Sequence, residues 1–127
     1  MNSILLPVKP VYVEKILSGA KQYEFRKRLA TSDVHLIYLY CTSPIMKVVA
    51  KVEVIGTIQA SPSALWEKTK HAAGISRQDY RAYFKECKTA YAYELGFVEK
   101  YDLPKSLDDF GIRTPPQSFV YINSETE

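Results

Sequence analysis

The chain has 127 residues, 46% of them hydrophobic, which is enough for one domain that buries its own core. Seventeen basic and fourteen acidic residues give a formal charge of +3, too small for a histone-like or polybasic binder. Two cysteines without a CxxC pair argue against a disulfide framework or a zinc site, so neither a metal nor a cofactor is expected. With no leader before Ile4 and no apolar stretch of ~20 residues, we expect a soluble cytoplasmic protein that does not contact a membrane.

The first predicted elements are a strand, a short helix and a second strand. Residues 4–8 form an apolar run typical of a strand. Pro10 suits the first turn of a helix and Gly19 can adopt the left-handed conformation that ends one, so we predict a helix over residues 10–18. Residues 22–28 alternate in polarity, which predicts a strand whose polar face lines a cleft or meets solvent.

The remaining elements add strands on both sides of a helical stretch. Apolar or alternating runs predict strands over residues 34–41, 47–58, 89–101 and 119–122. Gly56 inside one of them indicates a bulge or a tight bend. Helical spacing predicts a helix over residues 61–73 and another after the N-cap residue Ser76. About six strands and three helices in this order predict a single α+β domain over residues 1–127.

Three ionisable side chains, Lys21, Glu24 and Arg26, follow the end of the first helix. Lys21 could grip a phosphate, with Glu24 nearby to keep its ammonium protonated. Arg26 offers a planar fork for a phosphate or a base edge, and Glu24 could accept hydrogen bonds from a nucleobase or act as a general base. Tyr12 and Tyr23 could stack on a base, although half-buried packing is commoner for tyrosine. The alternative is an ion-pair network on a partly exposed sheet face.

Four short motifs together resemble the ASCH domain family: Lys9-Pro10-x-Tyr12, Gly19-x-Lys21-x-x-Glu24-x-Arg26, Tyr83-Phe84 and Pro116-Gln117-Ser118-Phe119-x-Tyr121. They span nearly the whole chain. The family is similar to the PUA fold, so the resemblance implies a curved mixed β-barrel of about six strands with flanking helices, and RNA-related work. It also implies a ligand cleft built from eight residues: Lys9, Tyr12, Lys21, Tyr23, Glu24, Arg26, Gln117 and Ser118.

The activity is left open among three hypotheses. The first is a module that binds RNA or a nucleotide. The second is an enzyme in which Lys21 and Glu24 carry protons. Some superfamily members are amidohydrolases of acetylated cytidine that pair the lysine with a threonine where this chain has Glu24, and other small members are similar to ribonucleases, which implies roles for Lys21, Tyr23 and Ser118. The third is a regulatory module that binds a protein partner through its helical side, at Trp66 and residues 77–81.

Overall fold

A computed structural model of the protein describes residues 2–30 and 33–122. Six strands are present in these ranges: β1 (Asn2–Val8), β2 (Tyr23–Arg26), β3 (Val34–Cys41), β4 (Lys47–Ala60), β5 (Ala90–Lys105) and β6 (Val120–Ile122). The α-helices are α1 (Pro10–Ser18), α2 (Pro62–Thr69) and α3 (Arg77–Tyr83), and 3₁₀ turns cover Lys70–Ala72 and Leu107–Phe110. The predicted α+β class is confirmed, and the bounds of α1 and β3 agree with the sequence prediction.

The six strands form one mixed sheet in the order β2-β5-β4-β3-β1-β6. Only β1 and β3 are parallel among the strand pairs of the described ranges. In those ranges the hydrogen-bonded ladder ends at β2 on one side and β6 on the other, so it does not close into a complete barrel. The register of β4 on β5 shifts between Val54 and Gly56, which confirms the bulge predicted at that glycine.

Two apolar clusters hold the helices on the sheet. In one, Val13 and Ile16 of α1 pack with residues of β1, β3 and β4. In the other, Leu65 of α2 and Tyr80 of α3 pack with Phe25 of β2. Residues of α1, β2 and α3 together line one hollow, and the charged residues of β2 are among them.

Candidate functional site

A cleft of about 560 Å³ lies where β1 passes into α1 and where β2 faces α3. We call it the charged cleft. Five of the eight predicted ligand residues line it: Lys9, Tyr12, Lys21, Glu24 and Arg26. The three charged side chains that follow α1 therefore line the same hollow.

The backbone on both sides of Lys21 is fixed by two segments of the chain. Gly19 ends α1 with a φ of 86°, and the Lys21 amide then donates to the Lys15 carbonyl at 3.0 Å. The next amide, that of Gln22, donates 2.9 Å to the carbonyl of Ala72. Lys21 is thus held between the end of α1 and the turn that follows α2.

The Lys21 side chain is buried in the wall of the charged cleft, with 4% of the residue exposed. Its Nζ donates to the Ala73 carbonyl at 2.9 Å and lies 4.7 Å from the ring centre of Phe25. Burial lowers the pKa of Lys21 from 10.5 to about 8, although the Glu24 carboxylate acts in the opposite direction. The Glu24 carboxylate thus favours the protonated lysine, as expected from the sequence, while the larger effect of burial was not anticipated; the ammonium still predominates at neutral pH.

Glu24 and Arg26 form a partly buried ion pair within the cleft. Arg26 Nη2 and Nε donate to one carboxylate oxygen of Glu24, Oε2, at 2.9 and 3.1 Å, and Nη2 also donates to the Pro7 carbonyl at 2.8 Å. Glu24 is only 7% exposed. The ion pair considered as the alternative is therefore present for these two residues, and in addition a buried carboxylate and a β1 carbonyl fix the guanidinium.

Two residues of α3, Asp79 and Tyr83, line the cleft but were not predicted as site residues. Asp79 was recognised only for its position in the helix cap, where its amide donates to Ser76 Oγ at 3.0 Å. Burial, followed by the charges of Asp79 and Glu24, raises the pKa of Tyr12, and burial also raises that of Tyr83. Both phenols therefore keep their protons at neutral pH.

The other three predicted residues do not line the cleft. Tyr23 packs on Phe25 and meets His71 with its hydroxyl, 3.4 Å from Nε2. Gln117 and Ser118 are exposed in a bend before β6. Because β6 runs antiparallel to β1, this bend lies toward the end of β1 that leads into the cleft.

Residues 6–104 match the family described as ASCH domain. The chain belongs to the ASCH domain family. A relative from Zymomonas mobilis named "ASCH domain-containing ribonuclease" is 31% identical over 121 residues, which cover 91% of this chain and 81% of the relative. The crystal structure of ASCH from Zymomonas mobilis superposes with a TM-score of 0.88 at 27% identity, covering 98% of this chain and 90% of the other. A tyrosine-to-phenylalanine variant of that protein gives a TM-score of 0.89 at 26% identity, with 99% and 94% covered.

The same similarity extends to much longer proteins. A Ureaplasma parvum protein named "ATP synthase subunit alpha" is 30% identical over 122 residues, covering 95% of this chain. The ASCH domain described here spans only 15% of that relative and 39% of another from the same species, "Large ribosomal subunit protein uL22".

Across residues 2–30 and 33–122, no three metal-ligating side chains are grouped to hold an ion, and no helix there is long and apolar enough to cross a bilayer.

Proposed function

We propose that this ASCH domain binds RNA in the charged cleft and cleaves it there. The observation that carries the proposal is a buried lysine with a pKa of about 8 in the wall of a cleft that also contains a fixed arginine. A group that titrates near neutral pH can give up a proton during a reaction as well as bind charge. The relative named as a ribonuclease supports the same substrate class.

Cleavage of RNA requires one proton to be removed and one to be supplied. The ribose 2′-hydroxyl loses its proton to a base and attacks phosphorus, and the 5′-oxygen leaves with a proton from an acid. The products are a 2′,3′-cyclic phosphate and a 5′-hydroxyl. In our proposal the Asp79 carboxylate accepts the first proton, while the Lys21 ammonium supplies the second and stabilises the charge on the phosphoryl oxygens.

Arg26 and Tyr12 hold the phosphate in place. Arg26 uses Nε and Nη2 for its bonds to Glu24 and Pro7, while Nη1 bonds to no residue of the described ranges. That nitrogen can donate to a phosphate oxygen. Tyr12 keeps its phenol proton and can donate a second hydrogen bond. Glu24, a catalytic candidate in the sequence analysis, acts here as a positioning residue for Arg26.

An amidohydrolase has less support from the geometry. The acetylcytidine hydrolases pair the lysine with a hydroxyl nucleophile, whereas this chain has a carboxylate there that accepts two hydrogen bonds from Arg26. A carboxylate held in this way is a poor substitute for an activated hydroxyl. Binding without cleavage uses the same residues as the proposal, and the experiment separates the two.

The test uses an end-labelled RNA 10-mer and a DNA 10-mer of the same sequence. Wild type should bind both and cleave only the RNA, leaving cyclic phosphate ends, while Lys21→Met should lower the cleavage rate by about 100-fold or more. Lys47→Met removes an exposed lysine and should cleave like wild type. Intact RNA with wild type, or equal rates for Lys21→Met and Lys47→Met, would contradict the proposed activity.

A further inference from the structure

A second hollow, of about 360 Å³, lies between α2 and α3. We call it the aromatic groove, and its principal residues are Pro62, Trp66, Arg77, Tyr80, Arg81 and Phe84. Helical geometry places the α3 residues of this groove on the face opposite Asp79 and Tyr83, which line the charged cleft. Helix α3 is therefore the wall between two hollows.

The groove has a preformed aromatic surface. Tyr80 and Phe84 are each 2% exposed and form its floor, and the half-buried ring of Trp66 lies 4.8 Å from that of Tyr80 between centres. The Tyr80 hydroxyl donates to the Pro62 carbonyl at 2.7 Å, which ties α2 to α3. Because these side chains are already ordered, a flat ligand that stacks on Trp66 would cost little conformational entropy.

The charges of the groove favour an anionic ligand. Arg77 and Arg81 are exposed, lie one helical turn apart, and make no hydrogen bond or ion pair with another residue of the described ranges. The one carboxylate of the groove, Glu67, accepts a hydrogen bond from Lys70 at 2.8 Å, which together with the charge of Lys70 lowers the pKa of Glu67. The charge of Arg77 contributes to the same shift, so Arg77 and Lys70 together offset the charge of Glu67. The groove then keeps a net positive charge, and neither guanidinium donates a hydrogen bond to Glu67.

We propose that the aromatic groove is a second binding site for single-stranded RNA, in which a base stacks on Trp66 while Arg77 and Arg81 contact phosphates. Stacking platforms beside basic side chains are the usual means of holding a single strand without reading its sequence. An acidic peptide would meet the charge but would leave the flat aromatic face without a matching surface. The inference rests on the proposed function, since the same strand runs from the charged cleft across α3 into the groove.

The test compares two uncleavable ligands, a 2′-deoxy dinucleotide that fills only the charged cleft and a 2′-deoxy 10-mer that reaches both hollows. Arg77→Gln with Arg81→Gln should weaken binding of the 10-mer roughly tenfold and reduce the slope of log K against log salt by about 1.4, the value for two phosphates on a single strand. Dinucleotide binding should not change. The matched control, Lys47→Gln with Lys100→Gln, removes the same charge at two exposed lysines and should leave 10-mer affinity within about twofold.

Trp66 gives a second readout. Trp66→Ala should weaken 10-mer binding roughly tenfold, and Trp66→Phe should restore part of it because a smaller ring still stacks. Equal 10-mer affinity and salt slope in wild type and the double arginine variant would overturn the inference, leave the cleft proposal standing, and point to a protein partner for the groove. If wild type bound neither the dinucleotide nor the 10-mer, both the inference for the groove and the proposal for the cleft would be overturned.

Discussion

The charged cleft and the aromatic groove share α3 but use their charges in opposite ways. In the cleft, Lys21 and Glu24 are buried and each has fixed partners within the protein. In the groove, Arg77 and Arg81 are exposed beside an ordered aromatic floor. The cleft therefore suits proton transfer, which needs a shifted pKa and a fixed geometry, whereas the groove suits binding, which needs accessible cations.

Burying a charge has a cost that the groove avoids. Desolvation lowers the pKa of Lys21 to about 8, so the folded protein is destabilised whenever that ammonium is present. Exposed arginines carry their charge in water and contribute little to stability in either direction. The two regions should therefore respond differently to pH, to substitution and to changes in packing.

The largest effect is expected from pH. Between pH 8 and 10.5 the unfolded chain holds a proton on Lys21 that the folded chain has released, so the free energy of unfolding should rise with pH across this window. Between pH 7 and pH 10.5, the free energy of unfolding of wild type should rise by about 3 kcal/mol more than that of a Lys21→Met variant. Urea unfolding of both proteins at pH 7 and pH 10.5 measures the difference. A difference that stays constant with pH would show that Lys21 is not buried as a cation.

The second largest effect on stability is expected from removing Glu24, the ion-pair partner of Arg26. Glu24→Gln leaves the guanidinium with a neutral amide in place of its carboxylate, and should reduce stability by about 2 kcal/mol because Arg26 is only partly solvated. RNA cleavage should fall mainly through kcat if Glu24 positions Arg26. Arg77→Gln serves as the comparison in the groove: it should leave stability and kcat unchanged, and any effect on cleavage should appear in KM.

A glycine beside Lys21 tests how tightly the cleft is packed. Gly74 and Gly111 both have positive φ, 64° and 73°, so alanine should cost each roughly 1–2 kcal/mol. An added Cβ at Gly74 would also overlap Cβ and Cγ of Lys21, whereas nothing lies within 4 Å at Gly111. Gly74→Ala should therefore cost about 1–2 kcal/mol more than Gly111→Ala in urea unfolding. Gly74→Ala should also slow RNA cleavage. If the two alanine variants lost equal stability, the Lys21 side chain would be free to move away from the added Cβ.

The smallest effect is expected at the hydrogen bond that ties α2 to α3. Tyr80→Phe removes the donor to the Pro62 carbonyl and should lower stability by about 1 kcal/mol. Because this hydrogen bond holds α2 against α3, its loss should weaken 10-mer binding at the groove without changing dinucleotide binding at the cleft. Tyr91→Phe is the matched control for loss of a hydroxyl, because the Tyr91 hydroxyl makes no hydrogen bond within residues 2–30 and 33–122.

Local signals in the sequence were enough for much of the fold. Pro10 and Gly19 set the two ends of α1 through their own backbone preferences, and the apolar run of β3 predicted its bounds. One local signal was overlooked, since Ser106 and Asp109 form a capping box at the start of the 3₁₀ turn Leu107–Phe110. Such features depend on neighbours within a few residues, which is why a single sequence reveals them.

The chemistry of the site depends on contacts that no local pattern contains. The Lys21 ammonium donates a hydrogen bond to Ala73, 52 positions away in the sequence, and the burial that lowers the pKa of Lys21 could not be read from the residues around it. Asp79 lines the cleft only because α3 packs with one particular face toward β2. Lys21, Glu24 and Arg26 could be predicted to share a site because they lie within six consecutive residues. The side chains opposite them in the cleft could not be predicted in this way.

The pH dependence of RNA cleavage tests the central claim most directly. If the Lys21 ammonium supplies the leaving-group proton, kcat/KM, measured at RNA concentrations well below KM, should fall as pH rises through about 8, and Lys21→Met should remove this fall together with most of the rate. A wild-type kcat/KM that keeps rising above pH 8, or the same fall in Lys21→Met, would contradict the role assigned to this lysine.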